Sequence, residues 1–419
     1  MRIRNLFALL FTVITLQVSA LTLQDALQIA LKEDPGQKIY QAQQGALIAK
    51  GNNSATLADP MIKLGVANLP TDSFSLDNEA MTQLTLGISQ QFSRGDSLAI
   101  TKQGFQLQSE TVVFQGADRR LLVKKTVRDL WFNILFIEKS KQLVSQNKKL
   151  FNSLNKDLAS QYSLGLIENE DLINADIELG LFDEKLAKLS QQSLTYRSLL
   201  SEWIGPLAYD KLSATIPVWT DTLTYIKGSE THHIEHYELL AKHPKVLALK
   251  QNLLVAGSDI DLAKQSYKPS FKVELGYGHR MSEFDNGKAR PDLLSGFVSM
   301  DLPIFTDQRQ DQQMIAALHN KGQKQAEHRL LIRQLNAQLQ AEIVNYQQLL
   351  SRQLRYKNSL LKQAKSRSRA YVQSYQSNTR PFTEVIQAYM DELNLSIEYQ
   401  QLYFDGLKSL SKIRYFQAL

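Results

Sequence analysis

"QYSLGLIENEDLINADIEL" occupies Gln161 to Leu179, and "SYQSNTRPFTEVIQAYMDEL" occupies Ser374 to Leu393. Each runs from a Tyr through small and polar residues to an acidic residue, two aliphatics, a polar residue and an Ala: Asp171-Leu172-Ile173-Asn174-Ala175 against Glu384-Val385-Ile386-Gln387-Ala388. The second begins 213 residues after the first. A chain that repeats a pattern at this distance is expected to repeat much else.

It does. "LKEDPGQKIYQAQ" (Leu31 to Gln43) pairs with "LAKHPKVLALKQ" (Leu240 to Gln251), Pro35 matching Pro244 at an offset of 209. "DPMIKLGVANLP" around Pro60 pairs with "KPSFKVELGYGH" around Pro269 at the same offset, and "ISQQFSRGDSLAITKQ" (Ile88 to Gln103) pairs with "VSMDLPIFTDQRQDQQ" (Val298 to Gln313). A near-constant offset across four landmarks is the mark of two copies of one unit. The expected copies are residues 21–230 and 231–419.

Each copy reads helix, strand, strand, long helix, tip, helix. Ile62, Leu64 and Val66 alternate with Lys63 and Gly65, and Leu84, Leu86 and Ile88 with Gln83, Thr85 and Ser89. In the second copy Phe271, Val273, Leu275 and Tyr277 alternate with Lys272, Glu274 and Gly276. This period of two gives each strand one apolar and one polar face. Strands are expected near 60–70, 82–92, 270–280 and 292–303. The fourth is the least clean, because Leu293 and Leu294 are adjacent. Lengths of roughly 9 to 12 residues suit a tilted crossing of a bilayer. Polar loops such as "PTDSFSLDNEA" and "RMSEFDNGKARP" join them.

From Leu98 to Tyr162 and from Gln308 to Tyr375 there is no proline. A continuous helix over the first of these would extend about 100 Å. Its apolar residues recur at three or four positions among Gln, Lys, Arg and Glu, as at Leu331, Leu335, Leu339 and Ile343 in the second. That is a narrow stripe for packing on neighbouring helices.

The chain has 419 residues, 43% of them apolar, and no cysteine, which excludes disulfides, thiolate chemistry and lipidation of an N-terminal Cys. Arg2 and Arg4 precede a short apolar run from Leu6 to Leu16, and Val18-Ser19-Ala20 supplies small residues for cleavage. Residues 1–20 therefore read as a secretory signal. Its removal lowers the formal net charge from +6 to +4. Without a Lys/Arg-rich tract there is no nucleic-acid signature. No uncharged apolar stretch is long enough for a spanning helix, so any membrane crossing falls to the strands. An open four-stranded sheet in lipid leaves costly unpaired edges, and natural barrels have about eight strands or more. The sheet must then close with other copies of the chain. Three copies would supply twelve strands and continue as a helical tube.

These features resemble the TolC family of outer-membrane efflux channels over essentially the whole mature chain. The resemblance is carried by "YSLGL" leading to Asp171, Leu172 and Ala175, by "NTR" leading to Glu384, Val385, Ile386 and Ala388, by "LPIF", and by "LTLQDALQIALKEDP". "LADPMIKLGVANLPTDSF" and "MTQLTLGISQQFSRGDSLA" look most like the heavy-metal, CzcC-like branch. The resemblance implies a mixed fold, an all-α periplasmic tunnel plus a transmembrane β-barrel, assembled as a homotrimer with twelve strands. It implies a periplasmic adaptor and an inner-membrane RND-type pump as partners, outer-membrane lipid around the barrel, and no cofactor.

In such a channel the two tips, near 162–171 and 375–384, turn the long helices back and close the duct. Gly165 and Asn378 stand at the reversals and tolerate positive φ, and Pro381 suits the start of a returning helix. By motif position, Asp171 would meet Tyr375 and Arg380, a carboxylate accepting from a phenol and a guanidinium. Partly exposed links of this kind are weak, so an adaptor could break them. Glu384 takes the place of a pore-facing carboxylate ring. Gln387 takes the next such place and removes an acidic ring there.

Other motifs carry less. His232, His233 and His236 with Glu235 form a histidine cluster, but in a polar linker it reads as exposed rather than as a metal site. "RGDSLA" (Arg94 to Ala99) has the letters of a serine-hydrolase block, yet no Asp-x-x-His supplies a base, and no Walker loop is present. A second reading is the same duct for drugs or type I secreted polypeptides. A third is a periplasmic coiled-coil scaffold without a pore, which would not need four membrane-length strands.

Overall fold

The computed structural model describes residues 20–165, 168–228, 236–377 and 379–419. The cleavage region before Ala20, the tip residue Asn378, and His232, His233 and Glu235 lie outside the described residues. The elements are α1 (Leu23–Glu33), α2 (Pro35–Ser54), β1 (Met61–Ala67), β2 (Gln83–Phe92), α3 (Ser97–Ser163), α4 (Asn169–Ile204), α5 (Thr220–Gly228), α6 (Tyr237–Leu240), α7 (Pro244–Gln265), β3 (Phe271–His279), β4 (Leu293–Met300), α8 (Gln310–Arg355), α9 (Leu361–Gln376) and α10 (Phe382–Phe416). A single π turn, Tyr356–Leu360, joins α8 to α9, so the second long helix is continuous but locally widened to i→i+5 hydrogen bonding. Helix–strand–strand–long helix–returning helix is thus the order in both halves.

The chain divides into two compact units, each drawing on both halves: one comprises residues through Asp34, Leu122–Thr231 and Glu342–Arg414, the other Pro35–Leu121, His232–Ala341 and Tyr415–Leu419. The second unit holds the sheet. Its order is β1-β2-β3-β4, antiparallel throughout. The register puts Leu64 opposite Leu86, Leu86 opposite Tyr277, and Tyr277 opposite Leu294. One face therefore carries an apolar row across all four strands, and this row is exposed: Leu64 79%, Leu86 52%, Tyr277 47% and Leu294 81%.

The opposite face carries the sheet's charges and most of its glycines alongside Met61 and Phe297. Lys63 Nζ donates to Glu274 Oε1 at 2.6 Å, and Lys272 Nζ lies 3.1 Å from Glu274 Oε2. The ambiguity at the fourth strand is resolved by pairing, since Leu294 faces Tyr277 on the apolar side whereas Leu293 lies opposite Gly278. At 7, 10, 9 and 8 residues, three of the four strands reach or fall below the short end of the expected lengths. Below the sheet, Arg94 donates to the carbonyl of Lys268 at 2.8 Å and pairs with Asp301, which also accepts from the Ser270 amide at 2.6 Å. These bonds fix both strand-to-helix junctions.

The other unit is helical. Val144, Phe151 and Leu158 on α3 recur every seven residues and are buried with Ala175 and Phe182 of α4 and Phe382, Val385, Ile386 and Leu393 of α10. Seven-residue spacing keeps one stripe facing its neighbours. Phe151 meets Phe182 at 5.2 Å and Tyr389 at 6.2 Å between ring centroids. Polar links hold the flanks: Asn155 donates to Asp176 at 2.8 Å, and buried Ser368 donates to the Ala388 carbonyl at 3.1 Å. Among the described residues no helix is long and apolar enough to cross a membrane.

Candidate functional site

The tips of the helical unit carry the predicted site. At the first, the Gly165 amide donates to the Tyr162 carbonyl at 2.9 Å, and Gly165 has φ of +71°, a conformation that a Cβ would strain. The return helix α4 opens with Glu168 in the cap position and Glu170 and Asp171 in its first turn. The helix dipole favours acids there. Asp171 makes no hydrogen bond or ion pair among the described residues. Partial burial, then the charges of Glu170 and Glu168, push its carboxyl above the usual range.

At the second tip, the amide and hydroxyl of Thr379 both donate to the Ser374 carbonyl, at 2.9 and 2.8 Å. Pro381 stands immediately before the first residue of α10, and its carbonyl accepts from the Glu384 amide at 3.3 Å. It therefore caps the helix instead of occupying its first turn. Behind it, Phe382 is buried against Tyr375, with ring centroids 5.2 Å apart. This ring pair anchors the turn.

The predicted residues are distributed as follows within one chain. Tyr375 donates to Gln161 Oε1 at 3.3 Å, and its phenol is pushed up by burial and by the nearby Asp171 charge. Arg380 pairs with Glu384 one turn on and lies 4.5 Å above the Tyr371 ring. The Glu384 carboxylate thus has a cation partner in its own chain. Gln387 is exposed and donates to Asp391 Oδ1 at 2.8 Å, while Arg367 pairs with the other Asp391 oxygen. An acid is therefore present one turn beyond the expected Gln387 position. Gln161, Tyr371, Arg367 and Asp391 were not singled out in the sequence. The i to i+4 spacing of Gln387 and Asp391 was the available signal.

Elsewhere, His236 is buried, its ring Nε2 3.0 Å from Gln340 Oε1 and its amide donating to Asn336 Oδ1 at 2.8 Å. Among the described residues no group of three or more His, Asp or Glu side chains could hold a metal ion.

No protein-family model matches the chain, and no curated protein does. Solved structures do. VceC, the outer membrane protein of Vibrio cholerae, matches at 13% identity with a TM-score of 0.76, covering 94% of this chain and 96% of that one. CusC, described for conformational changes accompanying folding and transmembrane channel formation, matches at 14% identity and a TM-score of 0.76 over 94% and 91%. The chain has the fold of these outer-membrane channels. MtrE of Neisseria gonorrhoeae, an outer membrane channel in its open state, shares this channel fold at 13% identity and a TM-score of 0.72 over 94% and 88%. Coverage is close to complete in both directions.

Proposed function

We propose that the chain is one protomer of an outer-membrane efflux channel, in which three copies close their sheets into a twelve-stranded barrel and their helices line a periplasmic exit duct. The observation that carries this is the sheet. Its apolar row is exposed on every strand, its other face bears Lys63, Lys272 and Glu274, and β1 and β4 each have an unpaired edge. In water such a row is an aggregation liability. In lipid it is an outer wall, provided that both edges pair. Four strands fall short of the roughly eight a natural barrel needs, so neighbouring copies supply the rest. The channel fold favours three.

The same reading makes the two halves of the chain copies of one unit and places the tips at the periplasmic mouth. Asp171, lacking a cation partner among the described residues, would accept from Arg380 or Tyr375 of a neighbouring copy, closing the duct until an adaptor parts the tips. MtrE is described in an open state, which fits a duct with a gate. An inner-membrane RND-type pump would supply the energy, and the duct itself would be passive, with no catalytic step. Metal cations are the proposed cargo, on the resemblance carried by Leu57 to Phe74 and Met81 to Ala99.

The test uses the absence of cysteine. Val66→Cys on β1 is combined in turn with Leu294→Cys, Val298→Cys and Met300→Cys on β4, and membranes are oxidised. A covalent ladder ending at three chains is expected from the best-registered pair. Monomers from every pair would refute edge closure.

A further inference from the structure

In the helical unit, away from the tips, a cavity of about 430 Å³ lies between the start of α1 and the segment ahead of α5. Leu23, Leu27, Pro217 and Trp219 form an apolar wall, and Arg128 of α3 opens into it. Arg128 is 6% exposed. It makes no hydrogen bond or ion pair among the described residues, and its Nε is wholly shielded with no acceptor. Buried guanidinium groups are normally paired.

The neighbouring groups do not supply the missing anion. Asp129, the next residue, has Lys125, Lys408 and Lys412 around it. Asp221 is bound by Arg414, at 2.9 and 2.8 Å from its two oxygens. Arg128 and Arg414 each lie 5.4 Å from the Trp219 ring centroid, so one indole is shared by two cations. Burial and the Arg414 charge lower the Arg128 pKa to about 10, which leaves it charged at neutral pH. A second source of positive potential is the N-terminus of α1. Thr22 caps the Asp25 amide at 3.2 Å, while helix geometry leaves the Leu23 and Gln24 amides without intrahelical acceptors. Asp25 is the one acid in that turn, and it is tied back to the Thr22 hydroxyl at 2.6 Å.

We propose that this cavity binds an organic carboxylate with an aromatic or short aliphatic body, its carboxylate on Arg128 and the α1 amides and its body against Trp219, Leu27 and Pro217. The cavity is larger than a bare oxyanion and its wall is apolar, which sets the ligand class. The site does not depend on the channel reading, because the groups that form it belong to one unit of a single chain.

Calorimetric titration of the purified full-length protein with benzoate tests it, with benzyl alcohol as the uncharged isostere and inorganic phosphate as the bare anion. Saturable benzoate binding, at least tenfold tighter than either control, is expected. Arg128→Gln should weaken it at least tenfold, and Leu27→Trp, which fills the apolar end but leaves the charge, should do the same. No saturable benzoate binding by the unaltered protein, equal binding of the alcohol or of phosphate, or undiminished binding by a folded Arg128→Gln would each overturn the proposal.

Discussion

Arg380 is paired with Glu384 in its own tip and stacked 4.5 Å over Tyr371, whereas Asp171 in the opposite tip has no cation partner among the described residues. One tip therefore satisfies its charge internally while the other presents a carboxylate. If Asp171 closes the duct through a neighbour's Arg380, Glu384 competes for the same guanidinium.

The two acids should then act in opposite directions. Asp171→Ala is expected to raise the open fraction of single channels by about threefold to tenfold, in line with the weakness of exposed ion pairs. Glu384→Gln, which releases Arg380, should lower it. Planar-bilayer recordings read both, and equal effects of the same sign would remove Arg380 from the gate.

On the sheet, Leu275→Arg puts a charge at the middle of β3 on the exposed apolar face, opposite Ile88. Such a change costs about 2–4 kcal/mol at a bilayer midplane, so membrane-inserted oligomer should fall sharply. Ser299→Asp, opposite Lys272 on the other face, should insert normally. Fractionation of membranes gives the comparison.

Burial raises the Asp129 carboxyl to about 6 and leaves its Oδ1 without a hydrogen-bond partner. Its native pKa exceeds its unfolded one, so stability falls as pH rises from about 4 to about 6 and stays lowered above that. Asp129→Asn should accordingly stabilise the protein by about 1–2 kcal/mol at pH 8 and not at pH 4. Denaturant midpoints at the two pH values decide it.

His243 has the reverse sign. It is fully buried, its Nδ1 accepts from the Lys245 amide at 3.2 Å, and its Nε2 is 3.1 Å from the Tyr415 carbonyl. Burial lowers its pKa, outweighing the nearby Asp118 charge, while Lys245 lowers it further. The unfolded chain then takes up a proton first, so stability drops as pH falls below about 6.5. His243→Asn, which keeps a helix cap, should flatten this acid limb in thermal melts between pH 5 and 7.

Features with local periodicity could be read from the sequence. Alternation at Ile62 to Val66 and Phe271 to Tyr277 located strands, and the proline-free stretches located long helices, because both signals repeat within a few residues. The register of β4 could not be read, since Leu293 and Leu294 satisfy either face until Tyr277 and Gly278 are placed opposite them. Arg94 with Asp301 and Lys63 with Glu274 join residues more than 200 apart, and no local pattern announces them. At the tips, the residue types and positions are legible in the sequence, but that Arg380 pairs within the chain with Glu384, four residues on, is decided only by the turn ahead of α10. Arg128 gave no signal, because an unpaired buried charge becomes visible only once its surroundings are assembled.

The central claim is that copies of this chain enclose a pore. Single-channel conductance of the purified protein in planar bilayers, compared with the Asp171→Ala/Arg380→Ala double variant, tests it most directly. Discrete, small wild-type conductance that increases in the double variant is the predicted result; no conductance from either protein would contradict the account.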